Sequence, residues 1–234
     1  MGIDVSKRKV VSINEGHDRL VVTEPSKNPV EYDVGIGKYL TAVYQRKKAR
    51  SRSGDGNPLI YALKGMNRFL ISEEDKSILH SNMITIVLRH YGSEDFDSVI
   101  AMPSSKPIAE WVGNACSDAL NIPLERNVFI KATNANVLRQ IQGVEGVQEI
   151  IELRKALEAK KPNGAFSLKD LSQYQRTFVD PVRMNPFFSE NRKRILLVDD
   201  LVSSGTTLKS GYNAFKSKYP YTEIDCLSLL GPVT

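Results

Sequence analysis

The sequence predicts an α/β fold: a central, mostly parallel sheet flanked by helices, with a variable hood or insert. Residues 97–102, 194–198 and 223–230 are short, nearly continuous apolar runs, as expected of strands buried on both faces. The first two lead through brief polar turns into stretches of helical length, 107–120 and 206–218. Strands joined through helices imply right-handed crossovers and parallel pairing.

The remaining elements follow in chain order. Residues 9–14 and 19–23 are β-type runs separated by the turn-like Glu15-Gly16-His17-Asp18, which suggests a hairpin between them. Residues 37–48 look helical and run into a Ser/Gly/Asp-rich loop over 51–57. Pro58 is placed to open a helix over 59–64 that Gly65 stops. Ser72-Glu73-Glu74-Asp75 has the cap and acidic first turn of a helix start. The apolar stripe Ile78, Met83, Ile86, Val87 and His90 carries that helix to Gly92. Residues 127–131 form a strand that ends at Lys131. Residues 132–192 are the least regular, with a helix over 147–160 and a Pro/Asn/Phe-rich loop over 180–190. Inserts of this length in α/β domains often form lids or binding loops. The expected division is an N-terminal region, 1–94, part of or appended to a core of 95–234 whose insert spans about 133–192.

Composition narrows the function classes. Of the 234 residues, 25% are charged and 41% hydrophobic, which suits a globular chain. There is no apolar run of the roughly 18 residues a membrane span needs, nor the apolar core of a secretory signal near the start. Cys116 and Cys226 sit far apart in apolar contexts and read as buried thiols of a reducing compartment. His17, His80 and His90 lack zinc-site spacing relative to them. A cytoplasmic, soluble protein is expected. The net charge of +5 favours anionic partners. Its densest cluster is Arg46, Lys47, Lys48, Arg50 and Arg52, either a solvated helix end or a contact for a nucleic-acid backbone.

The chemistry concentrates in residues 195–207, Ile-Leu-Leu-Val-Asp-Asp-Leu-Val-Ser-Ser-Gly-Thr-Thr. A buried strand delivers Asp199 and Asp200 at its carboxyl end. The small residues after it let backbone N–H groups converge on an anion where the next helix begins. Ser203, Ser204, Thr206 and Thr207 add hydroxyl donors, and Gly205 permits close approach. Two acids beside a phosphate make sense if something lies between them: sugar hydroxyls, magnesium, or water bound to it. The segment lacks a Walker A lysine and a GxGxxG run.

Residues 195–207 resemble the 5-phosphoribosyl pyrophosphate-binding motif of type I phosphoribosyltransferases at all thirteen positions. The resemblance implies that fold, with Asp199 and Asp200 on the ribose hydroxyls and residues 203–207 on the 5-phosphate. It also implies magnesium on Asp199 and Asp200, directly or through water. The turn Pro103-Ser104-Ser105-Lys106 stands where family members bind pyrophosphate, so Ser104 and Ser105 are expected to donate to it. Lys106 is expected to neutralise the leaving group. Asp199, Asp200 and Lys106 are the catalytic candidates. Finer similarity is to ComF-like and amidophosphoribosyltransferase-like domains, through residues 59–65 (LIYALKG), 99–106 and 154–166. The cysteine-rich N-terminal zinc module of many ComF-like proteins has no counterpart here.

The implied activity is a glycosyltransferase of nucleotide metabolism. It would move phosphoribose to or from a nitrogenous base or amine, with pyrophosphate leaving. Ser203 stands where 6-oxopurine enzymes carry an acid, which argues against a hypoxanthine–guanine type. Lys131, Arg139 and Tyr174 are further candidates for charge stabilisation or base chemistry. Trp111 is expected to pack the 107–120 helix onto the sheet. The alternative is a non-catalytic regulator that binds phosphoribosyl pyrophosphate or a nucleotide, or a nucleic-acid-associated accessory protein of ComF type. A homodimer is the default expectation.

Overall fold

Residues 194–201 form the strand around which the molecule is built, because their apolar side chains are wanted on both faces. The computed structural model describes residues 1–33, 35, 39–47, 57–169, 171–202 and 204–233. The N-terminal half holds β1 (Gly2–Val5), β2 (Val10–Asn14), β3 (Val21–Val22), β4 (Val30–Asp33), β5 (Tyr39–Arg46), α1 (Pro58–Leu63), β6 (Leu70–Ile71), α2 (Glu73–Tyr91), β7 (Ser98–Ala101) and α3 (Ile108–Leu120). It is followed by β8 (Leu124–Glu125), β9 (Phe129–Lys131), α4 (Asn134–Ile141), α5 (Gln148–Glu158), α6 (Gln173–Arg176), β10 (Val182–Met184), β11 (Arg194–Leu201), α7 (Thr206–Lys218) and β12 (Glu223–Val233).

Five strands run parallel in the order β5-β12-β11-β7-β8, and β3 and β4 pair antiparallel with β5. The result is a mixed α/β architecture with a mostly parallel sheet. Side chains of β11 alternate between two cores. Leu196 and Val198 pack with α1, α2 and α3, whereas Ile195 and Leu197 pack with Leu208 and Phe215 of α7. Helices therefore cover both faces, which is what keeps a parallel sheet out of water. β1, β2 and β6 form a small separate sheet, and β9 and β10 a two-stranded ribbon. Residues of α4 and α5, with Phe166 and Val179, make a third core.

Several expectations hold. Pro58 opens α1 behind an Asn57 cap whose side chain accepts from Leu59 N–H, and Gly65 turns the chain at φ +61°. Ser72 caps α2 and accepts from Asp75 N–H. Helix α7 begins and ends where the sequence placed it.

Four expectations fail. Residues 39–46 are a strand, not part of a helix. Leu40, Val43 and Tyr44 have helical spacing, but Leu40, Ala42, Val43 and Tyr44 are all fully buried, since β5 is wedged between β12 and the β3/β4 edge. The hairpin is made by β1 and β2, while β3 leaves for the main sheet. The strand at 129–131 lies in the ribbon with β10, and the shorter β8 takes the sheet edge. The stripe on α2 is also rotated: Leu79 and Tyr91 are buried, whereas Ile78 is exposed.

Candidate functional site at the carboxyl ends of β7 and β11

The chain leaves β7 through α3 on one face of the sheet and leaves β11 through α7 on the other. Adjacent parallel strands whose connections diverge open a crevice at their carboxyl ends, the usual ligand position in such sheets. Asp199 and Asp200 close β11 at that point, and residues 103–106 follow β7 on the other side. Ser104 Oγ lies 3.5 Å from Asp200 Oδ2, so the turn and the acid pair meet across the crevice.

Both acids are more than nine-tenths buried. Asp199 Oδ1 accepts from Asp200 N–H at 2.8 Å. Burial and the adjacent Asp200 carboxylate push Asp199 up to about 7, against the pull of that hydrogen bond and of the Lys64 and Lys131 ammonium groups. Asp200 has a partner that the sequence did not reveal: Lys64 Nζ sits 2.6 Å from its Oδ2, both side chains being largely buried. Lys64 caps the carboxyl end of α1, where the left-handed Gly65 turns the chain away.

The anion cradle lies beside the acids. Gly205 precedes α7 with φ +71°, a backbone conformation that a β-carbon disfavours. Ser204 Oγ is 3.0 Å from Thr206 Oγ1. A cavity of about 200 Å³ is lined by Asp199, Ser204, Gly205, Thr206 and Thr207, with Lys169 and Arg176 from the insert on its rim. The first turn of α7 contains no acid, and Thr206, Thr207 and Leu208 line this space together with Lys169 and Arg176; the N–H groups of a first helical turn have no acceptor within their own helix. Ser203 lies outside the described residues.

Other predicted residues are distributed unevenly. Ser105 and Lys106 line a neighbouring cleft with Glu110, Glu125 and Arg126, and Lys106 N–H donates to Ser104 Oγ at 3.3 Å. Lys131 is near enough to act on Asp199. Arg139 is not brought to the acids; it lines a separate cleft with Asp180 and Asn213, and its Nε donates to Ala135 of its own helix. Tyr174 is exposed and edge-on to Phe178. Trp111 packs against the core that α2, α3 and the sheet share, with its ring 5.6 Å from that of His80 of α2.

Of the basic cluster, Arg46 and Lys47 are among the described residues. Arg46 is 2% exposed, and its guanidinium donates to the carbonyls of Gly231 and Val202, the latter at the foot of the anion loop. Lys47 pairs with Asp18 at 2.7 Å. Lys48, Arg50 and Arg52 lie outside the described residues.

Among the described residues no group of three or more His, Cys, Asp or Glu side chains could hold a metal. Two adjacent carboxylates suit magnesium once a ligand supplies phosphate oxygens, since this ion binds through one or two carboxylates and keeps its waters. Among the described residues no helix is long and apolar enough to cross a membrane. No protein-family model, curated protein or solved structure matches the chain.

Proposed function

We propose that this chain is a cytoplasmic protein of the type I phosphoribosyltransferase fold that binds 5-phosphoribosyl pyrophosphate and transfers its phosphoribose to, or from, a nitrogenous base or amine. One observation carries the reading. A buried acid pair, a serine turn and a helix N-terminus with two cations converge where the connections of β7 and β11 diverge. Acids, hydroxyl donors and an anion cradle in that order match the three parts of the ligand: ribose hydroxyls, pyrophosphate and 5-phosphate.

In this reading Asp199 and Asp200 accept hydrogen bonds from the ribose hydroxyls and fix the ring. Ser204, Gly205, Thr206 and Thr207 hold the 5-phosphate, with Ser203 completing the loop. Lys169 and Arg176 add charge at the same end. Ser104, Ser105 and Lys106 hold the pyrophosphate. During transfer the bond from C1 of ribose to the pyrophosphate oxygen breaks, and a bond from C1 to nitrogen forms. The electron pair leaves with pyrophosphate, where the positive charge of Lys106 stabilises it. Magnesium held by Asp199 and Asp200, directly or through water, would neutralise further charge on that group. The rest of catalysis is positioning, which buried carboxylates on a central strand perform well because they do not reorient.

The test incubates the protein with 5-phosphoribosyl pyrophosphate, magnesium and pooled bases and follows pyrophosphate release. Release that depends on one base supports transfer. Tight binding without release with any base identifies a regulator that keeps the pocket. Absence of binding refutes both.

A further inference from the structure

Lys64 belongs to no part of the phosphoribosyl pyrophosphate motif, yet it reaches the centre of the site. Its Nζ is 2.6 Å from Asp200 Oδ2, the same oxygen that lies 3.5 Å from Ser104 Oγ. One carboxylate oxygen therefore joins an ammonium delivered by α1 to the first hydroxyl of the turn after β7. The side chains are 17% and 8% exposed, so the pair has been taken largely out of water.

A tie between a helix and a strand does not require this. Apolar side chains of similar volume commonly hold such a junction as well or better, because a buried ion pair must first lose its hydration. What an apolar pair cannot do is present positive charge to an anion. An ammonium has three donors, and one on Asp200 leaves the others for a ligand oxygen on the Ser104 side. Asp199 and Asp200 would otherwise repel a pyrophosphate held by that turn. A cation between the two removes the conflict, and Lys64 already stands there.

We propose that Lys64 is the resident cation of the site, bridging Asp200 to the pyrophosphate, so that 5-phosphoribosyl pyrophosphate binds without a divalent metal ion. The proposal rests on the phosphoribosyl reading above and adds a cation requirement to it.

Calorimetric titration of 5-phosphoribosyl pyrophosphate into the wild-type chain, in EDTA and in millimolar magnesium, is the first test. Dissociation constants within about threefold of each other support the proposal. Loss of binding in EDTA alone overturns it and leaves the phosphoribosyl reading standing. Failure to bind in either buffer removes that reading and this inference together. These outcomes need no variant, so a folding defect cannot obscure them.

Lys64→Met and Lys64→Gln, each checked for native circular dichroism, provide the second test. Binding in EDTA should weaken at least tenfold, and magnesium should restore it to within a few-fold of wild type. Wild-type affinity in EDTA for a folded variant overturns the proposal.

Discussion

Asp199 makes stability depend on pH through one buried side chain, and Asp199→Asn isolates that dependence. The carboxyl is pushed up to about 7 in the folded protein, first by burial and then by the Asp200 carboxylate, from an ordinary value of 3.8. In the unfolded chain the proton leaves near that ordinary value. Between the two pH values the native state alone keeps the proton, so stability falls as pH rises. The contribution is intact below about 4 and has been lost once pH passes about 7. Each pH unit across this window removes about 1.4 kcal/mol, so going from pH 5 to pH 8 costs about 3 kcal/mol through this group.

The amide introduced by Asp199→Asn has no titrating proton, and its Oδ1 can still accept from Asp200 N–H, the 2.8 Å bond of the wild type. Groups that titrate alike in both proteins cancel in the comparison. Urea unfolding of wild type and Asp199→Asn at pH 5 and pH 8 should show the variant gaining about 3 kcal/mol on wild type between the two. The same variant combined with Asp200→Asn should lose phosphoribosyl pyrophosphate binding. A stability difference that is the same at both pH values would refute the reasoning, because the acid would then be ionised throughout.

Arg46→Met removes the donor to the Gly231 and Val202 carbonyls and should cost about 1–3 kcal/mol for each carbonyl left unpaired; denaturant titration reads this. Gly231→Ala would put a β-carbon 2.5 Å from the Tyr32 ring and 2.9 Å from Ala42 Cβ, so overpacking should destabilise by about 1–3 kcal/mol, seen as a lower Tm. Arg176→Gln should weaken inorganic phosphate binding several-fold at low salt and much less at high salt, as expected for a half-exposed cation on the rim of the cradle. Burial pushes the Cys116 thiol up to about 12, and Cys226 is buried too, so a disulfide reagent at pH 8 should label neither until the chain unfolds.

What could be read from the sequence was local. The run from Ile195 to Val198 has to be buried on both faces, and nothing but a central strand offers that. The small residues after Asp200 and the start of α7 are contiguous with it, so the anion cradle lies within one short stretch of chain. Pro58 and Ser72 declare α1 and α2 locally, Pro58 by its place in the first turn and Ser72 by accepting from an N–H three residues on. Residues 39–46 were misread because Leu40, Val43 and Tyr44 satisfy a helical period by coincidence. The strand is imposed by β12 on one side and by β3 and β4 on the other, which no local window contains.

Of the other charges at the site, Lys131 could be named from its place at the end of a strand, whereas Lys64, Lys169 and Arg176 were illegible for the same reason. Lys64 comes from α1 and Lys169 and Arg176 from the insert, each remote in sequence from Asp199 and Asp200, and only the tertiary fold brings them near. Two adjacent carboxylates at the buried end of a central strand cannot both stand as bare anions, because desolvation and mutual repulsion act together. Each has its own remedy: Asp199 keeps a proton to unusually high pH, and Asp200 takes the Lys64 ammonium. Under the proposed function, a ribose that donates hydroxyl protons to Asp199 would replace the first remedy, and pyrophosphate would rely on the second. On that proposal the acid pair would favour a ligand carrying sugar hydroxyls and anionic charge side by side over one carrying either alone.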